Sequence, residues 1–185
     1  MMKRALFLLA LIAGLVNASF GQDTNTDNHT LTVVIPEVAL VDVEPAASKN
    51  ITLTYTAPTE AGLSLTGANN SSLWLNYSSI KTATIPTRVV SVKLDQVIGG
   101  VNLKVTASAD AGNGDGTVGT PAGSALTLTT GDQQLITGIG SCYTGDGASS
   151  GHNLTYEVDL TGTYADLQAN SPGTALTVTY TISTN

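Results

Sequence analysis

Few residues in this chain are of a type that does chemistry, and their spacing decides whether they can. Gly147-Ala148-Ser149-Ser150-Gly151 spells G-x-S-x-G, with His152 directly behind it. In that motif a serine nucleophile stands on a strand-to-helix turn above a parallel sheet, with a separately placed histidine as its base. No amphipathic helix follows here, and the only other histidine is His29. Gly114-Asp115-Gly116-Thr117-Val118-Gly119 spells G-x-G-x-x-G, whose glycines let a backbone approach a pyrophosphate at a helix start. Thr120-Pro121-Ala122-Gly123 follows in place of a helix, so the stretch reads as a hairpin loop. Asp110, Asn113 and Asp115 offer oxygens to calcium, with Asp146 in a second glycine-rich loop. A calcium loop also needs ligands at alternating positions and a distal Glu, whereas position 111 is Ala and the Glu is missing. These residues read as turn formers that tolerate positive φ. No catalytic, cofactor-binding or metal-ligating residue is assigned, and the chain is read as a non-enzyme.

Cys142 is the single cysteine, which excludes a disulfide scaffold and a Cys-ligated zinc module. Between Gly140 and Gly145 it reads as a small half-buried side chain, with intermolecular pairing as the alternative. In Leu73-Trp74-Leu75-Asn76-Tyr77 the alternation puts Leu73, Leu75 and Tyr77 on one face, and Trp74 with Asn76 on the other. Trp74 reads as an anchor of the core or of a subunit contact, or as a platform for a sugar. Asn-x-Ser/Thr triplets at Asn28, Asn50, Asn69, Asn70, Asn76 and Asn153 matter only in a host that glycosylates them.

The elements that would position these residues are strands. The 185 residues are only 11% charged, yet 28 are Thr, a β-branched residue that keeps a strand's wet face polar without charge. Ile51-Thr52-Leu53-Thr54-Tyr55-Thr56 alternates in this way, as do Leu176-Thr177-Val178-Thr179-Tyr180-Thr181-Ile182 and Leu126-Thr127-Leu128-Thr129. Short runs of this kind between turn residues predict strands near 50–57, 72–79, 87–95, 101–109, 124–130, 134–139, 153–160 and 175–183. About eight strands in a chain of this length predict an all-β, antiparallel, immunoglobulin-like β-sandwich over residues 50–185.

Met1 to Arg4 is basic, residues 5–16 are apolar, and Ser19-Phe20-Gly21 places small residues at a signal-peptidase site. Residues 1–21 are therefore expected to be a signal peptide, and the protein to be secreted, extracellular or on the cell surface. The apolar run falls short of the roughly 20 residues of a spanning helix, so no membrane span is expected. Removing residues 1–21 leaves 5 basic side chains against 14 acidic, a net charge of −9. The balance is wrong for nucleic acid, which requires clustered Lys and Arg. The remaining cations are Lys49, Lys81, Arg88, Lys93 and Lys104. With none after residue 104, sheet edges lack the residue that most often blocks them.

Residues 22–49 form an extension of different character. Gln22 to His29 is polar; Leu31, Val33 and Ile35 then alternate with Thr32 and Val34 before Pro36 interrupts. A second alternation runs through Val38, Leu40 or Val41, and Val43. A Thr-rich, cysteine-poor sandwich preceded by a detachable alternating strand resembles the subunits of donor-strand-assembled pili. Gly173 and Tyr180 match the Gly and Tyr of a chaperone–usher pilin's last strand, although Thr184 holds the penultimate place. The resemblance implies a filament or pilus subunit in which Leu31, Val33, Ile35, Val38 and Leu40 are donor-strand residues. They would insert into the neighbouring copy in a head-to-tail homopolymer, with no cofactor. The alternative is a monomeric surface module that binds glycan or mediates adhesion, with residues 30–43 folded into their own sandwich.

Overall fold

Side chains that alternate along an extended chain bury one face and leave the other wet. In the computed structural model, which describes residues 25–160 and 164–184, that rule builds an all-β sandwich. Its strands are β1 (Val38–Glu44), β2 (Asn69–Ile80), β3 (Arg88–Leu94), β4 (Asn102–Asp110), β5 (Asp115–Gly116), β6 (Thr120–Pro121), β7 (Leu126–Thr127), β8 (Gln133–Ile139), β9 (Cys142–Tyr143), β10 (His152–Asp159) and β11 (Val178–Thr184). Every strand pairing among the described residues is antiparallel. The signal-peptide reading of residues 1–21 lies outside the described residues, and no described helix is long and apolar enough to cross a membrane.

The larger sheet is organised by β2, whose 12 residues serve three neighbours. On one side β10 pairs with its first half and β9 with Ser78 and Ser79; on the other, β1 pairs with Trp74–Ile80. β4 and β7 continue the sheet beyond β10, and β5 beyond β9. The smaller sheet has the order β11-β3-β8-β6. Leu75, Val105 and Leu154 of the larger sheet meet Val90, Val92, Leu135, Ile136 and Ile139 of the smaller, all of them fully buried in one cluster.

Three expectations change. Val38–Glu44 pair with β2, so the larger sheet takes in a strand from ahead of Asn50. Without β1 the second half of β2 would keep a bare edge, and Val38–Glu44 supply the ladder that fills it. The strand expected at 50–57 makes no ladder beyond an isolated bridge between Thr56 and Thr66. Ile51 and Leu53 still pack on the core while Thr52 and Thr54 stay exposed. Alternation thus orients side chains without supplying a partner for the backbone. The strand expected at 124–130 shrinks to β7 because the chain crosses between sheets there. The Leu128 N–H donates to the Leu103 carbonyl in β4, and the next carbonyl, Thr129, accepts from Leu94 in β3.

Candidate assembly surfaces and a buried polar network

The five donor-strand residues fall into two groups. Leu31, Val33 and Ile35 lie in a stretch that forms neither helix nor strand and are 78%, 74% and 74% exposed. Ile35 precedes a proline, which disfavours helical backbone there. Val38 and Leu40 instead belong to β1, opposite Ile80 and Ser78. Val38 is half-buried, Leu40 is 66% exposed, and the side chains that β1 turns onto the core are Val41 and Val43. Glu37, just ahead of β1, forms an ion pair with Arg88 of β3, whose side chain is buried.

β11 ends the smaller sheet. The Asp95 N–H donates to the Thr177 carbonyl, whereas the Leu94 N–H points the other way, to Thr129. Backbone directions alternate along an antiparallel strand. Thr179, Thr181 and Ser183 therefore direct their backbone groups at β3, and Val178, Tyr180, Ile182 and Thr184 direct theirs away from it. β1 lies beside β11 but shares no ladder with it. Neither strand contains a fully buried residue. Val41, Val43, Ile51, Leu53, Val178, Tyr180 and Ile182 all contact the core while only half-buried, which marks a seam along this side of the sandwich. β1 carries Asp42 and Glu44, but β11 contains no charge and no proline, the usual blockers of a sheet edge.

A polar network is buried at one end of the core. His152 is fully buried; its Nδ1–H donates to the Ser108 carbonyl at 2.8 Å, and Nε2 lies 2.7 Å from the Tyr77 hydroxyl. That hydroxyl has one proton, shared between Nε2 and the Val118 carbonyl, and the two rings stack with centroids 5.6 Å apart. Both ring nitrogens of His152 are thus engaged. Ser149 is exposed at φ 69° in a turn that leads into β10, not into a helix. The glycine motif has a packing role instead. A Cβ on Gly114 would stand 1.8 Å from the Tyr143 carbonyl oxygen, and one on Gly116 2.2 Å from that of Ser141, so only glycine lets these two loops lie together. Asp110 and Asp115 accept from the N–H groups of Gly112 and Gly116 within their own turns. No group of three His, Cys, Asp or Glu that could hold a metal occurs among the described residues. The sequence gives no sign of the Tyr77–His152 pair, whose members are 75 residues apart. The uncharged edge strand β11 has one sign, the lack of cations after Lys104.

Burial pushes the Cys142 thiol up to about 11, with Asp110 adding to the shift. It pushes Tyr156 up to about 12 against the opposing hydrogen bond from Tyr180, and raises Tyr77 and Tyr180 further. The folded state therefore holds these protons more tightly than the unfolded chain, where Cys and Tyr titrate near about 8.5 and about 10. The associated stability is complete below those values and is lost as pH rises through about 11 to 12. The urea midpoint should accordingly fall between pH 8 and pH 11, and an unchanged midpoint would contradict this burial.

Trp74 is half-buried within the larger sheet, between Glu44 of β1 and Asn153 of β10. An open depression lies elsewhere, lined by Tyr55, Leu65, Val158, Asp159 and Tyr164. The Tyr55 hydroxyl is buried there without a hydrogen-bond partner. Comparison with family models, curated proteins and solved structures returns no significant match.

Proposed function

We propose that this chain is the structural subunit of an extracellular filament, in which residues 30–35 of one copy pair as a strand with the next. The observation that supports this reading most directly is the exposure of Leu31, Val33 and Ile35 in a segment that joins no sheet, while the sandwich already has its own first strand. Pro36 contributes to it. A two-residue hairpin through Pro36 and Glu37 would need positive φ at its first position, which the proline ring forbids; among the described non-glycine residues only Ser149 adopts positive φ. Residues 30–35 therefore have no tight turn through which to pair back along β1.

Adding a strand to an open edge satisfies a row of backbone groups, and alternate side chains fill pockets. Full burial of each of the three apolar side chains contributes about 1.5–3 kcal/mol, set against an association cost of roughly 4–15 kcal/mol. Donor and acceptor are different surfaces of the same chain, so the contact is heterologous and propagates. The second reading, a monomeric surface module that binds glycan or mediates adhesion, draws on the pairing of β1 within its own sandwich and on the depression at Tyr55. Sedimentation and negative-stain electron microscopy of the chain from Gln22 onward separate the two. Concentration-dependent oligomers and fibres are expected, and a species that stays monodisperse at high concentration would overturn the filament reading.

A further inference from the structure

We infer that Asn113 is a self-modifying site, at which the folded protein converts its own side-chain amide to a carboxylate and so releases the turn at Ser149. Asn113-Gly114 is the one Asn-Gly pair of the sequence, and a glycine there has no Cβ to hinder its own nitrogen. The Gly114 nitrogen attacks Asn113 Cγ and closes a five-membered imide; the side-chain nitrogen leaves as ammonia, taking up the proton that Gly114 gives up. Water then opens the ring. Cleavage at Cγ leaves Asp, and cleavage at the other carbonyl carbon leaves iso-aspartate, with the chain running through the side chain. The reaction consumes one water and no oxidant, metal or second protein.

The fold leaves the reacting groups accessible. Asn113 is exposed and Gly114 half-buried. The Thr117 N–H donates to the Ser141 carbonyl, and Asp115 stands opposite Tyr143. Backbone directions alternate along an antiparallel strand, so the Gly114 N–H points away from β9. Two other asparagines show the contrast. Asn76 is buried within β2 and donates to the Gly145 and Gly147 carbonyls, while Asn153 lies in β10 and donates to those of Ser71 and Leu73. Tyr77 and Leu154, which follow them, are bulky and buried.

The amide that is lost is a clamp. Asn113 Nδ2 donates to the Ser149 carbonyl at 2.8 Å and reaches Ser150 Oγ at 3.4 Å. It thus holds the one described non-glycine residue with positive φ, a backbone state that persists only when its surroundings impose it. A carboxylate only accepts hydrogen bonds, so after conversion it faces the Ser149 carbonyl oxygen with nothing to donate. The turn reaches the core: the Gly151 carbonyl accepts from Ala111, the Gly151 N–H donates to Thr144, and the buried His152 comes next.

Ageing of the chain from Gln22 onward in mildly alkaline buffer, folded and in urea, tests the site. Ion exchange reads the added negative charge, and peptide mapping with an isoaspartyl methyltransferase locates it. The folded chain should yield an acidic species that maps to Asn113 and is absent from Asn113→Gln, whose longer side chain would have to close a less favourable ring. A folded chain that stays unconverted, whatever the urea-treated chain does, overturns the site, as does conversion only at another asparagine. Asn113→Asp tests the release: hydrogen exchange at Ala111 and Gly151 should be about tenfold faster than in the parent, the factor for losing one hydrogen bond of about 1.4 kcal/mol. The acidic fraction of the aged chain gives the same reading without a substitution. Exchange at parental rates in both would overturn the release.

Discussion

A chain lacking residues 22–35 should fold with the stability of the parent and lose assembly, whereas one lacking residues 22–45 should lose much of its stability as well. The difference lies in β1, which contributes seven ladder pairs with β2 and turns Val41 and Val43 onto the core. Its removal also leaves Arg88, 2% exposed, without Glu37. Breaking a buried ion pair costs about 3–5 kcal/mol; Glu37 is half in solvent, so the lower end of that range is the better guide. With the two valines added, at about 1.5–3 kcal/mol for each when fully buried, the loss should be at least about 3 kcal/mol. That is a large share of the 5–15 kcal/mol typical of a native domain. Urea titration followed through Trp74 reads it directly, because the only tryptophan pairs with Glu44 of β1. Equal destabilisation by the shorter deletion would show that residues 25–35 pack within their own domain. A longer deletion as stable as the parent would remove β1 from the fold.

His152→Ala should cost at least about 3 kcal/mol. Truncating a large buried ring to Ala leaves a cavity worth roughly 3–5 kcal/mol in comparable cores, and the imidazole is fully buried against Tyr77. The Ser108 carbonyl would also lose its donor, but Ser108 is exposed and the Tyr77 hydroxyl keeps the Val118 carbonyl, so the lost hydrogen bonds add only about 1 kcal/mol. His152→Phe separates the two contributions: it restores volume but not hydrogen bonds, so its loss should lie between those of the parent and the alanine variant. A urea midpoint for His152→Ala within about 1 kcal/mol of the parent would mean that the network holds nothing together.

How much of this could be read in advance depended on whether a feature is local. The alternation of Leu73, Leu75 and Tyr77 is local, and all three are buried in β2 as expected. The run from Val38 to Val43 is ambiguous because five of its six residues are apolar; only pairing with β2 decides that Val41 and Val43 turn inward. Ile51 to Thr56 alternates as strictly as Leu176 to Ile182 and yet makes no ladder, since a ladder also needs a second backbone at the right spacing. The two-residue strand β5 exists only because two glycine loops meet, a contact that no local pattern encodes. Of the candidate donor residues, Leu31, Val33 and Ile35 form an exposed set, while Val38 and Leu40 could be placed only once β2 was known to need a partner.

The place where Glu37 meets Arg88 also has a mechanical meaning. Tension entering the sandwich at Pro36 along the axis of β1 reaches this ion pair first and then the ladder with β2. A pull directed along β1 would shear its seven register pairs together rather than unzip them singly, and forced unfolding would then follow the rate at which the whole set gives way. In the proposed filament, the ladder that fills the edge of β2 would thus also act as a tether under such a load.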